Sequence, residues 1–130
     1  MTNFRTTFLP IVFLVIGLII LATAAAFGQT RDITGIYAAT GTNPGERGAY
    51  RGDVIVVEDG EVYQVAWTIA GARHVGTGVL RGNQFSVVYA PEGQGTGIAV
   101  YELQPDGSLD GVWTNLGGST LGSERWIPQG

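Results

Sequence analysis

The chain contains no cysteine, no lysine and a single histidine, His74. Without cysteine there is no disulfide framework, no thiolate nucleophile, no cysteine-ligated metal and no lipid-modified cysteine. Without lysine, Schiff-base and low-pKa amine chemistry are absent. One histidine with no recognised catalytic motif around it gives neither a triad nor a multi-histidine metal site a frame. Positive charge is scarce as well. Leaving out Arg5, six arginines face eleven carboxylates, a formal charge of −5, which disfavours nucleic acid as a partner. After Thr30 no stretch carries a 3.6-residue apolar period, so helices are not expected there.

The one long apolar run lies at the N-terminus. Arg5 precedes Leu9 to Leu21, interrupted only by Pro10 and Gly17, and Ala22-Thr23-Ala24-Ala25-Ala26 follows with small-residue cleavage patterns ending at Ala24 or Ala26. A charge, a greasy core and a small-residue exit describe a secretory signal peptide over residues 1–26. An uncleaved anchor is the competing reading, since the run approaches the roughly 17 to 20 residues that span a bilayer. Both readings put a single domain, residues 27–130, in the periplasm or outside the cell, with the N-terminal segment as its only expected membrane contact. About a hundred residues suffice for one hydrophobic core of modest stability.

That domain reads as strands and turns. Period-two alternation predicts eight strands: Gly35–Thr40, Tyr50–Glu58, Val62–Ile69, Val75–Arg81, Gln84–Ala90, Gly97–Gln104, Leu109–Asn115 and Gly122–Ile127. A repeat supports the count. Gly60-Glu-Val-Tyr63-Gln-Val65-Ala-Trp67 and Gly82-Asn-Gln-Phe85-Ser-Val87-Val-Tyr89 share one frame at a period of 22 residues, and a weaker copy, Gly107-Ser-Leu109-Asp-Gly111-Val-Trp113, follows 25 residues later. Each copy opens a β-hairpin. Asp59-Gly60, Gly82-Asn83 and Pro105-Asp106-Gly107 carry tight-turn chemistry. The intervening Gly41–Ala49, Ala70–His74, Pro91–Thr96 and Leu116–Leu121 read as looser loops. In a meander successive connections alternate ends, which gives one closed and one open end.

Eight antiparallel strands most economically close into an up-and-down barrel, because closure removes exposed edges. The fold class is therefore all-β, with an avidin- or lipocalin-like architecture behind the signal segment. Tyr63, Val65, Trp67, Ile69, Phe85, Val87, Tyr89, Leu109, Gly111 and Trp113 face inward on this alternation. So many rings predict a mostly filled interior, with Gly76, Gly78 and Gly111 making room for them.

The series Gly35-x-Tyr37, Tyr50-x-Gly52-x-Val54, Tyr63-x-Val65-x-Trp67, Gly76-x-Gly78, Val87-x-Tyr89, Tyr101, Asp106-Gly107-x-Leu109-x-Gly111-x-Trp113 and Gly122-x-Glu124 resembles a group of small exported bacterial proteins. Some of that group are labelled fibronectin-binding protein. The resemblance spans nearly the whole mature chain and implies an exported module that contacts a macromolecule. Its glycines and aromatics encode a fold and carry over no catalytic residue.

Few residues remain for chemistry. Arg51-Gly52-Asp53 spells the tripeptide read by animal integrins, but it runs into Val54-Ile55-Val56-Val57 and is expected on a solvated strand face. Glu58-Asp59-Gly60-Glu61 lacks calcium-loop spacing and reads as a solvated turn. His74 is expected at an exposed loop end. Glu124 is expected at a barrel rim beside an arginine, with Trp126 outward; an inward Trp126 would instead bury the carboxylate and demand a partner. No metal, cofactor or catalytic residue is expected. Binding is expected at the open end, where loops bring Arg47, Arg73, His74, Glu92, Gln94, Asn115 and Thr120 near Trp67, Tyr89 and Trp113. The binding set is thus Trp67, Arg73, His74, Tyr89 and Trp113, and the partner is a protein or, alternatively, a small apolar ligand carried at the barrel mouth.

Overall fold

The computed structural model describes residues 31–91 and 95–130. The signal segment over residues 1–26, and with it Glu92 and Gln94 of the open-end loops, lies outside the described residues. From Ile33 to Gly130 the chain forms one compact unit. Eight strands, β1 (Gly35–Thr42), β2 (Ala49–Asp59), β3 (Val62–Ile69), β4 (Ala72–Arg81), β5 (Gln84–Pro91), β6 (Gly97–Leu103), β7 (Leu109–Asn115) and β8 (Gly122–Pro128), follow one another around a closed barrel. Every neighbouring pair is antiparallel, and β1 closes on β8 with Ala39 opposite Trp126 and Gly41 opposite Glu124.

Alternation sets the two faces. In β3 the inward Val65 and Trp67 are buried while Thr68 is exposed, and β5 repeats the pattern with Phe85, Val87 and Tyr89. Rings on one strand lie over glycines on the next. Tyr89 faces Gly97 and Tyr101 faces Gly111 across the ladder, and a Cβ on either glycine would fall 2.2 Å or 2.3 Å from the ring carbons. Gly41 with Tyr50 and Gly122 with Trp113 repeat this arrangement. Glycine is costly in a strand interior. Here it is the only residue that admits a large ring into so narrow a barrel.

The two ends differ in filling. Towards the tight-turn end Val54, Val56, Phe85, Leu109 and Trp126 are almost wholly buried. Ile33, ahead of β1, joins this core, and its carbonyl accepts a 2.6 Å hydrogen bond from the Tyr37 hydroxyl. Trp126 is the hub, with the rings of Tyr37, Trp67, Phe85 and Tyr101 centred 5.6, 5.8, 6.2 and 4.3 Å from it. An expectation of a mostly filled interior therefore holds for this half only. The other half contains a cavity.

One connection departs from the expected alternation of turns. Ala70–His74 is not a loose loop: β3 and β4 are joined by Ala70-Gly71 alone, with φ of 51° and 77°. Both central residues in the left-handed region make this a two-residue hairpin turn whose twist suits the strands. Alanine rarely adopts that conformation, which is why the dipeptide reads poorly as a turn. Among the described residues, the looser connections at the open end are thus those around residues 43–48 and 116–121, while residues 92–94 of the expected Pro91–Thr96 loop lie outside the described residues. Arg51-Gly52-Asp53 lies in mid-strand, as its apolar continuation indicates, and a Cβ on Gly52 would fall 2.5 Å from the Thr68 carbonyl oxygen.

Candidate functional site

The open end of the barrel encloses a cavity of about 370 Å³. That places it at the lower end of the roughly 300–1,000 Å³ typical of small-molecule sites. Four strands supply four rings of its wall. Tyr50 enters from β2, Trp67 from β3, Tyr89 from β5 and Trp113 from β7. Each ring meets the next nearly edge to face: Tyr50 and Trp113 at 6.2 Å, Trp113 and Tyr89 at 6.3 Å, Tyr89 and Trp67 at 6.0 Å between centroids. Such contacts favour this arrangement over stacking and hold each ring through its neighbours. Asn43, His74 and Asn115 add polar edges, and Ala99, buried at 2% exposure, leaves space where a larger side chain would stand.

At the base of this box sits Glu124, only 6% exposed. The expectation of a rim position beside an arginine is overturned. Trp126 points inward and is fully buried, and strand alternation carries Glu124 inward with it. Arg125, on the outer face, pairs instead with Asp110 at 3.3 Å and Asp106 at 3.8 Å. Glu124 takes its partners from aromatic side chains. Its Oε1 accepts hydrogen bonds from Trp67 Nε1 at 2.8 Å, Trp126 Nε1 at 2.5 Å and the Tyr101 hydroxyl at 3.2 Å. Its Oε2 accepts one, from the Tyr50 hydroxyl at 2.6 Å. Indole N–H groups only donate, so Oε1 is fixed as an acceptor. This is how a buried carboxylate is satisfied without a counter-charge.

The carboxylate marks its neighbours. Burial first, then the negative charge of Glu124, push the Tyr50 and Tyr101 phenols well above the usual tyrosine value. The same two causes raise Tyr89 to about 12. All three hydroxyls thus stay protonated as donors, and Tyr89 uses its own on the Thr114 carbonyl at 3.1 Å and Asn115 Oδ1 at 3.0 Å. Trp113 Nε1 is buried without a hydrogen bond of ordinary geometry, although its closeness to Tyr50 offsets part of that phenol's upward shift.

The expected binding residues divide. Trp67, His74, Tyr89 and Trp113 line the cavity together, as does Asn115. Arg73 does not. It alternates to the outer wall, opposite Thr68, because β4 extends back to Ala72 and the inward parity of Gly76 and Gly78 falls on His74. His74 is accordingly half-buried within a strand, opposite Trp67, and not at an exposed loop end. Arg47 and Thr120 are exposed and do not line the cavity. Lining residues missed as site members include the polar Asn43, Tyr50, Tyr101 and Glu124, and the apolar Ala99. A signal for Glu124 was present in the alternation with Trp126. Among the described residues no group of three or more histidine, aspartate or glutamate side chains is placed to hold a metal ion. Compared with known proteins, the chain matches no protein-family model and no curated protein.

Proposed function

We propose that this is an exported small-ligand-binding barrel, which holds its ligand in the open-end cavity and performs no chemistry on it. The carrying observation is the cavity itself: a half-open aromatic box of about 370 Å³ with a carboxylate at its base and polar edges at its mouth. Few convergent polar groups in a mainly apolar concavity are the general form of a ligand site, and barrel mouths are among the places where such sites occur. Binding without turnover is supported by the engagement of Glu124. Both its oxygens already accept hydrogen bonds from tightly packed rings, so this carboxylate is held as a fixed acceptor and not as a mobile acid or base.

The test is to fill the box. Ala99→Leu adds a branched side chain into the cavity from β6, and a ligand found by screening small molecules against the full chain by tryptophan fluorescence should lose at least tenfold in affinity. Unchanged affinity in a folded Ala99→Leu protein would refute the site.

A separate observation favours a second reading. Ile36, Ile55, Ala66, Val75 and Ala90 sit directly opposite one another across five strands of the outer wall, and Ile36, Ile55 and Val75 are each about half exposed. An apolar row of this kind suits contact with a macromolecule, in keeping with the label carried by some members of the group the sequence resembles. Binding to immobilised fibronectin that survives Ala99→Leu and is lost on Ile55→Lys would support the wall over the mouth.

A further inference from the structure

We infer that the mouth cavity selects small organic cations, of the alkylammonium kind, over neutral and anionic molecules of the same shape. This rests on the small-ligand reading above and specifies its chemistry. Among the described residues that line the cavity, Glu124 is the one carboxylate, no arginine joins it, and His74, the one basic side chain in the lining, makes no ion pair with it. Arg73 and Arg125 each adjoin a lining residue in sequence, but Arg73 turns to the outer wall opposite Thr68 and Arg125 is held on the outside by Asp110. The negative charge of Glu124 is therefore unneutralised, and it is fixed in place by donors from β2, β3, β6 and β8.

The distribution of those donors matters. Oε1 takes three hydrogen bonds and Oε2 only one. A carboxylate oxygen commonly accepts two. The remaining acceptor capacity is on Oε2, the oxygen bonded to Tyr50, and Tyr50 is itself part of the cavity wall. An ion brought to this place meets low-dielectric walls that weaken screening, so even a charge not in direct contact with Oε2 is attracted strongly.

Aromatic walls act in the same direction. Tyr50, Trp67, Tyr89 and Trp113 form a chain of rings around the space. Each ring carries a negative face, and a cation within about 6 Å of a ring centroid is attracted to it. Anions meet the opposite on both counts. Neutral apolar molecules gain the walls but leave the carboxylate without a complement. A positively charged head with a few carbon atoms around it satisfies both features, and its bulk fits the volume.

The experiment uses three probes with one branched-carbon shape: choline, its uncharged isostere 3,3-dimethylbutan-1-ol, and the anionic 3,3-dimethylbutanoate. Each is titrated calorimetrically into the full chain, into Glu124→Gln and into Ala99→Leu. Choline should bind at least tenfold more tightly than the alcohol, and the acid least of all. In Glu124→Gln the preference for choline over the alcohol should fall to within about threefold, with the alcohol's own affinity little changed, while Ala99→Leu should weaken both. Equal binding of choline and alcohol to the unaltered protein, lost on Ala99→Leu, would leave the small-ligand site standing and overturn its cation selectivity. A preference for choline that persists in folded Glu124→Gln would overturn the role of the carboxylate. Binding of none of the probes would overturn the cation inference, and a neutral ligand found by screening that Ala99→Leu excludes would show that the site survives it.

Discussion

Replacing Glu124 separates two accounts of why the barrel centre holds together. In Glu124→Ala the donors of Trp67, Trp126 and Tyr101 lose their acceptor, and these side chains are 4%, 0% and 1% exposed. A buried donor left unpaired costs about 1–3 kcal/mol, so the three together cost about 3–9 kcal/mol if all stay dry. Tyr50, only partly buried, can turn to solvent and adds little. Water entering from the adjacent cavity recovers some of this, which brings the expected loss to about 3–5 kcal/mol. A domain of this size has about 5–15 kcal/mol in total. With a slope of about 1.5 kcal/mol/M, the urea midpoint should fall by about 2–3 M. Glu124→Gln keeps the shape. Its amide oxygen can accept from Trp67, Trp126 and Tyr101, and its NH₂ can donate to a rotated Tyr50 hydroxyl. The lost charge assistance is offset by relief of carboxylate desolvation, so the glutamine variant should stay within about 1.5 kcal/mol of the parent. Equilibrium urea unfolding followed by tryptophan fluorescence reads both. If alanine and glutamine destabilise equally, charge and not donor satisfaction holds the centre; if alanine costs under about 1 kcal/mol, the network is not structural at all.

Alkaline pH should unfold the barrel early. Because the Tyr50, Tyr89 and Tyr101 phenols sit above the ordinary value of 10.0, the unfolded chain releases these protons first as pH rises. Their contribution is fully present below pH 10 and is lost as pH climbs through the Tyr89 value of about 12 and beyond. Tyrosinate absorbance should accordingly rise in step with loss of β-sheet circular dichroism, and ionisation of all tyrosines at pH 10 in a folded barrel would contradict the assigned burial. For the N-terminal segment, the expected intact mass of protein from the envelope fraction starts after Ala24 or Ala26. A mass that retains Met1 through Ala22 would mean a membrane-anchored domain instead.

Most of the barrel is legible in the chain because its signals are local. Alternation in Val62–Ile69 and Gln84–Pro91 is strict, and glycine marks the turns at Gly60, Gly82 and Gly107, all with positive φ. Strand ends are less legible. β4 starts at Ala72 because Ala70 accepts a left-handed conformation, and that decision belongs to the closing hairpin rather than to alanine's own preference. Starting the strand three residues earlier carries the inward parity of Gly76 and Gly78 back through residue 74, so His74 belongs to the inner wall and Arg73 to the outer one, where a loop reading left both free. Tyr50 and Tyr101 were missed for another reason. Their partner, Glu124, is 74 and 23 residues away, and nothing in either neighbourhood announces a carboxylate.

The weight of the site on Glu124 follows from what the fold could have done without it. An interior of this shape, with Trp126 ringed by Tyr37, Trp67, Phe85 and Tyr101, packs well on apolar contacts alone. Putting a carboxylate beside that cluster costs desolvation, and a hydrophobic residue of similar volume is often neutral or better for stability at a buried charged position. Four donors from four strands then have to converge to satisfy it. Nothing about closing a barrel calls for this, and places where a sequence breaks its own burial rule are where function is expected to be located. The donors do not neutralise the charge; they fix its position, below a cavity lined by rings and free of arginine among the described residues. A stabilising element would have had no reason to stop at the edge of an open space, whereas a recognition element has to.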